Sequence, residues 1–219
     1  MHANNTSYLA EVKARHWLSA KTFELTIQCP KGFSFIPGQR LRIIHAHGER
    51  DYSLASGPDE RDINLCIRLV ERGSLSEFLS TCDLPTEIPV KGPYGYFSFK
   101  PSSRQPIFVA TGTGIAPFCS MIRSGIGGFF LLHGVRQATE RYYRDLIQPA
   151  ARKYIACISN AGQSSQTLFE GRVTDYLAQH MPAGAYDFYL CGSRYMIRDV
   201  TRLVDRQFPN SLVYSEMFY

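Results

Sequence analysis

The chain has 219 residues, 44% of them hydrophobic, and a formal net charge of +5 with arginine outnumbering lysine. That length allows one large domain or two of ordinary size, and the apolar content excludes a disordered chain. No apolar stretch approaches the roughly 20 residues that span a bilayer, the first residues lack the pattern of a signal peptide, and no basic run is interleaved with stacking aromatics. The sequence therefore reads as a cytoplasmic protein that binds neither membrane nor nucleic acid.

From Tyr8 to about Pro101 the chain is short-strided and punctuated. Val12, Leu18, Phe23, Leu25 and Ile27 fall in two alternating runs. Strand-like segments follow at Leu41-Arg42-Ile43-Ile44, Asp51-Tyr52-Ser53-Leu54 and Ile63 to Leu69. Breaks are expected at Pro30, Gly32, Pro37-Gly38, Gly57-Pro58, Pro89 and Gly92-Pro93. Short strands at close spacing with such turns predict an antiparallel barrel or sandwich. One helix interrupts at Ser74 to Leu79, with Ser74 as its N-cap.

From Ile107 the rhythm changes. Strands are predicted at 107–110, 129–133, 154–158, 186–191 and 212–216, and helices near 117–124, 138–148, 172–180 and 194–207. Alternating strand and helix implies a parallel sheet covered on both faces. The polar stretch Lys100-Pro101-Ser102-Ser103-Arg104 marks the boundary, giving domains 1–101 and 102–219. The six cysteines are scattered without a Cys-x-x-Cys pair, which removes the usual signatures of zinc and iron–sulfur sites. They read as small buried hydrophobes.

The most informative segment is Ala110-Thr111-Gly112-Thr113-Gly114-Ile115-Ala116-Pro117, directly after a strand. Two glycines one residue apart allow a sharp turn and bring backbone N–H groups against a ligand. Pro117 suits a helix start, where no N–H is missed. Strand, glycine turn and helix start make an anion seat suited to a pyrophosphate. Upstream, Arg50-Asp51-Tyr52-Ser53 pairs a phosphate-binding cation with a ring able to support a flat cofactor. By themselves these four residues describe most simply an Arg–Tyr pair on a solvated strand. Arg68 followed by Gly73-Ser74-Leu75-Ser76 is a second possible anion seat, or an ordinary helix start. Gly92-Pro93-Tyr94-Gly95 reads as a tight turn.

Their order says more than any one of them. Phe35-Ile36-Pro37-Gly38-Gln39, Arg50-x-Tyr52-Ser53, Gly73-x-x-Ser76, Gly92-Pro93-x-Gly95, Gly112-Thr113-Gly114-Ile115-Ala116-Pro117, Cys191-Gly192 and Glu216-Met217-Phe218 resemble, in register, the ferredoxin–NADP reductase family. The resemblance covers nearly the whole chain. It implies an FAD-binding antiparallel β-barrel followed by a Rossmann-like, parallel-sheet NAD(P)-binding domain.

It also implies roles. Arg50 holds the flavin pyrophosphate, Tyr52 packs against the isoalloxazine and Ser53 reaches its N5 edge. Gly73, Leu75 and Ser76 line the same pyrophosphate, and Arg68 adds contacts to the flavin nucleotide. Gly112, Thr113 and Gly114 seat the nicotinamide nucleotide, with Cys191 and Gly192 at the nicotinamide. A buried structural cysteine is the other reading of Cys191. Phe218 covers the flavin, with Tyr219 as the alternative ring, and Glu216 supplies a nearby charge or proton relay. Ser53, Cys191 and Glu216 are thus the expected catalytic residues.

Family members that prefer NADPH carry basic residues after the third strand of the second domain. Here that stretch is Ser159-Asn160-Ala161-Gly162-Gln163, which favours NADH, although Arg136 and Arg172 remain as substitutes. Ser193 stands where many bacterial relatives have proline. The expected function is a flavin-dependent NAD(P)H oxidoreductase that passes electrons to a ferredoxin or flavodoxin. Such carriers are usually acidic, which suits the net charge of +5. A reductase of free flavin, or an electron-transfer subunit of a larger complex, are the alternatives.

Overall fold

The computed structural model describes residues 6–46, 48–72, 74–160 and 168–218. It divides into two compact units: residues 1–99 with Ala116–Ser124, and Lys100–Ile115 with Gly125–Tyr219. The helix Ala116–Arg123 thus packs with the first unit, although the sequence-based boundary assigns it to the second domain.

In the first unit, alternation of apolar and polar residues builds six antiparallel strands. They are β1 (Ser7–Ser19), β2 (Thr22–Gln28), β3 (Arg40–His45), β4 (Gly48–Ser53), β5 (Asp62–Arg68) and β6 (Thr86–Tyr94). Their order is β4-β3-β6-β1-β2-β5. The two edges approach just beyond β4. There Leu54 bridges Leu65, and the Ala55 N–H donates to the Asn64 carbonyl at 2.8 Å. Joining the edges turns an open sheet toward a barrel and removes exposed pairing groups. Phe23, Leu25 and Ile27 of β2, Leu41 and Ile43 of β3, and Ile88 and Val90 of β6 point inward to a common core. Helix α1 (Ser74–Thr81) contributes Leu75 and Leu79 to it.

The breaks expected at Pro89 and Gly92-Pro93 are not breaks: β6 runs through all three, between β3 and β1. Burial of Ile88 and Val90 on alternate positions outweighs the low strand propensity of proline. At the far end, Gly92 and Pro93 oppose Leu41 alone, because Arg40 pairs with Tyr94 and Arg42 with Lys91. That bulge leaves a residue outside the ladder, where a missing N–H is tolerated.

The second unit has a parallel six-stranded sheet. Its strands are β7 (Gln105–Thr111), β8 (Phe130–Val135), β9 (Lys153–Ile158), β10 (Leu168–Glu170), β11 (Tyr186–Ser193) and β12 (Leu212–Phe218), in the order β10-β9-β8-β7-β11-β12. Ile107, Val109, Leu132, Ile155, Phe188 and Leu190 meet helices α4 (Val173–His180) and α5 (Arg194–Gln207) in one core. Strand β10 was not expected from the sequence. The helix expected over 138–148 is a 3-10 turn, Ala138–Glu140, followed by α3 (Arg144–Ala150). The Glu140 carboxylate accepts the Arg136 and Gln137 N–H groups and caps the start of this turn, while Tyr143, at a φ of 57°, leaves the helical region and separates the turn from α3.

Candidate functional site

In the parallel sheet the chain leaves β7 toward β8 on one side, while β11 lies on the other. Such a reversal opens a crevice at the carboxyl ends of the two central strands, where ligands of open α/β sheets bind. Gly112, Thr113 and Gly114 form a 3-10 turn there, immediately after β7. A Cβ built on Gly114 would lie 2.3 Å from the Cys191 carbonyl oxygen, so only glycine lets the turn rest on β11. The Thr111 hydroxyl accepts the Ser193 N–H at 2.9 Å and ties the two strand ends together. The expected coenzyme residues Gly112, Thr113, Gly114, Cys191 and Gly192 are therefore brought to one place.

Register adds a further residue. Ala110 of β7, Cys191 of β11 and Glu216 of β12 are successive partners across the sheet. Cys191 is fully buried and Glu216 is 6% exposed. A glycine cradle that a Cβ would fill, flanked by a thiol and a carboxyl group, fits a nicotinamide dinucleotide. Arg136 is exposed just after β8, and the Asn160 N–H donates to its carbonyl at 3.1 Å. Residues 161–163, expected to bear on coenzyme choice, lie outside the described residues, as do Gly73 and Tyr219. Phe218 ends β12.

In the antiparallel unit, β4 presents Arg50 to solvent, half-buries Tyr52 against the core and buries Ser53. Arg50 Nη1 donates to the Glu49 carbonyl at 2.7 Å. Asp51 is held by Arg40 at 3.0 Å and by Arg42 at 2.6 Å, and Arg42 also reaches Glu49 at 3.5 Å, so both of these cations are engaged by carboxylates. Burial pushes the Tyr52 phenol up to about 12, against the opposing charge of Arg50, and keeps the ring neutral. Helix α1 packs beside β4. An exposed guanidinium, a neutral flat ring, a buried hydroxyl and a helix start are a donor set that fits a flavin dinucleotide.

Gln39 fastens this edge. Its side chain accepts the Ile36 N–H at 2.8 Å and donates to the Gly95 carbonyl at 3.2 Å, while its own carbonyl accepts the Leu54 N–H at 3.0 Å. The Pro37-Gly38-Gln39, Gly92-Pro93-x-Gly95 and Arg50-to-Ser53 motifs thus form one connected patch. Arg68 ends β5, half-buried opposite Thr22. Ser76 is buried, and its hydroxyl accepts the Val70 N–H at 3.1 Å, which fastens the connection from β5 into α1.

The sequence reading missed two residues. Thr111 pins β11 as described, and fully buried His133 of β8 reaches the Gly112 carbonyl oxygen at 3.0 Å from Nε2. The signal for His133 was a polar side chain closing the apolar run Phe129 to Leu132.

Residues 9–99 match the oxidoreductase FAD-binding domain and residues 108–202 the oxidoreductase NAD-binding domain. Ferredoxin–NADP reductase B of Sorangium cellulosum is 32% identical over 168 residues, covering 69% of this chain and 67% of that protein. The toluate 1,2-dioxygenase electron transfer component of Pseudomonas putida is 28% identical over 216 residues, which span 91% of this chain and 64% of that protein. Methane monooxygenase component C of Methylosinus trichosporium is 32% identical over 68% of this chain, and there the match covers 48% of the relative. The chain thus spans about half to two thirds of the length of these two relatives. A ferredoxin NADP+ reductase from Neisseria gonorrhoeae, solved with bound FAD and NADP, has the same fold, with a TM-score of 0.83 at 19% identity over 100% of both chains. With an FAD-binding half, an NAD-binding half and a reductase relative matched over two thirds of its length, the chain belongs to the ferredoxin–NADP reductase family of oxidoreductases.

Proposed function

We propose that the protein is a flavin-dependent NAD(P)H oxidoreductase that uses NADH and delivers electrons to a separate, acidic carrier protein of ferredoxin or flavodoxin type. The observation that carries this reading is the order of the two halves, an FAD-binding domain followed by an NAD-binding domain with a glycine cradle at its switch point. Relatives named as electron transfer components of oxygenase systems support a protein acceptor. The net charge of +5 supports an acidic one.

Arg50 would hold the flavin pyrophosphate, with the start of α1 adding backbone donors. The Tyr52 ring would support the isoalloxazine, and Ser53 would donate a hydrogen bond at its N5 edge. When bound, FAD supplies an acceptor that a reduced nicotinamide can fill with two electrons and that a carrier can empty one or two at a time. The N–H groups of the Gly112–Gly114 turn would bind the coenzyme pyrophosphate. Cys191 would pack at the nicotinamide and exclude water there, and buried Glu216 would hold a proton or a charge beside it. Orientation is the main contribution of such a protein to the reaction. Asn160, where NADPH-preferring members carry a basic residue, supports NADH.

The test is anaerobic reduction of the flavin-loaded protein with NADH and NADPH in parallel, followed by mixing with ferredoxin, flavodoxin or free flavin. Faster bleaching by NADH, then oxidation by an acidic carrier at a rate that falls with salt, is the expected result. Bleaching by neither coenzyme would overturn the enzyme reading. Electrons passing only to free flavin would overturn the carrier.

A further inference from the structure

Beneath the glycine turn of the parallel sheet lies a group with no part in the scheme above. His133 is fully buried, with Nε2 3.0 Å from the Gly112 carbonyl oxygen. A carbonyl only accepts, so Nε2 carries the proton and donates it to this bond. Nδ1 is then a bare acceptor, and among the described residues it has no hydrogen-bond partner. The Tyr142 ring stands edge-on to the imidazole at 6.2 Å. Desolvation pushes the imidazole pKa down to about 4, which keeps the ring neutral in ordinary buffers. A buried histidine that spends its one donor on a backbone carbonyl has a purpose set by that carbonyl.

Gly112 has a φ of 52°, and a Cβ built on it would meet nothing within 4 Å. Its outer side is therefore open. In a trans peptide the C=O and the next N–H point in opposite directions. With the Gly112 carbonyl turned in toward His133, the Thr113 N–H must turn out. The reversed peptide would instead present a carbonyl oxygen to an incoming anion and repel it. Glycine tolerates both orientations at little cost, so the orientation rests on what holds this carbonyl, the 3-10 turn and His133.

We propose that His133 is a positioning residue for coenzyme binding: by holding the Gly112 carbonyl it fixes the Gly112–Thr113 peptide with its N–H facing the dinucleotide pyrophosphate. The inference rests on the reading of this turn as the coenzyme's phosphate seat. His133 touches no coenzyme atom in this arrangement. It sets the sign of the dipole that does.

The test is titration of the flavin-loaded protein with ADP-ribose, which carries the pyrophosphate, and with adenosine, which does not. His133→Phe keeps a flat ring of somewhat larger size and removes the donor, and His133→Gln restores a donor of similar reach. The Phe variant is expected to bind ADP-ribose roughly 10- to 100-fold more weakly, the loss of one hydrogen bond to a charged group. Its adenosine affinity should change little, its KM for NADH should rise more than its kcat falls, and the Gln variant should recover most of the loss. Equal ADP-ribose affinity in wild type and Phe variant, or equal losses in the Phe and Gln variants, would overturn the proposal. Should the Phe variant fail to fold, His133→Leu, which also lacks the donor, takes its place. Its expected and overturning results are those given for the Phe variant. Wild-type protein that binds neither ADP-ribose nor NADH would overturn the phosphate seat itself, which separates that failure from failure of the His133 role alone.

Discussion

Cys191 and Glu216 are direct partners across the parallel strands β11 and β12, in the row that Ala110 begins on β7. On the roles proposed here, both serve the nicotinamide end of the coenzyme. Cys191→Ala and Glu216→Gln should each slow reduction of the flavin at saturating NADH, Glu216→Gln by roughly 10²-fold if it handles a proton. Neighbours acting as a unit lose less together than the product of their separate losses. Stopped-flow reduction of the double variant reads this directly, and fully multiplicative losses would show two independent residues.

Ser53 is buried at the end of β4, while Arg50 on the same strand is exposed. Ser53→Ala should therefore slow flavin reduction about tenfold or more with little change in flavin affinity, since a hydrogen bond tuned to the reacting edge matters most in the transition state. Rapid kinetics and flavin titration on one preparation separate the two effects. Equal loss in both would make Ser53 a structural hydroxyl.

Arg50 is expected to behave in the opposite way. Its guanidinium is bonded to the Glu49 carbonyl, whereas Arg40 and Arg42 are paired with the carboxylates of Asp51 and Glu49. Arg50→Ala should weaken FAD binding by roughly 10- to 100-fold, the scale of hydrogen bonds to a charged group. Arg42→Ala should leave FAD affinity near that of the wild type while destabilising the β3–β4 pair. Fluorescence titration of FAD against the apo forms checks both, and an Arg42→Ala loss as large as that of Arg50→Ala would contradict the assignment.

His133 also predicts an acid-side signature. Its folded pKa of about 4 lies below the ordinary 6.5, so between those values the unfolded chain binds more protons. Its contribution is intact above pH 6.5 and is lost as pH falls toward 4, with a slope of up to about 1.4 kcal/mol per pH unit. His133→Gln has no such group. Denaturant unfolding from pH 7.5 to 4.5 should therefore show a shallower acid-side loss in that variant, and parallel curves would refute a buried neutral His133.

Local pattern made much of this legible. Two-residue alternation exposed β1 to β5, the change of rhythm at Ile107 exposed the parallel sheet, and Gly112-Thr113-Gly114 marked a tight turn at a strand end. The failures share one cause. Pro89, Gly92 and Pro93 signal breaks when read locally, but β6 passes through them because Ile88 and Val90 are buried and a bulge opposite Leu41 absorbs the irregular pair. The helix expected over 138–148 is split because Tyr143 takes a left-handed φ of 57° between the capped turn and α3.

The sequence by itself determined the two-part architecture, the order of its motifs and the chemical types available at each, because these depend on periodicity and residue identity along the chain. Only the tertiary structure decided which of them lie together. Ala110, Cys191 and Glu216 share a row because β7, β11 and β12 are neighbours in the sheet and not in the chain. Gly114 must be glycine because a carbonyl from β11 lies against it, and His133 acquires a purpose because its ring ends under the Gly112 peptide. Close approach and strand pairing are set by long-range packing, which no local window of residues encodes.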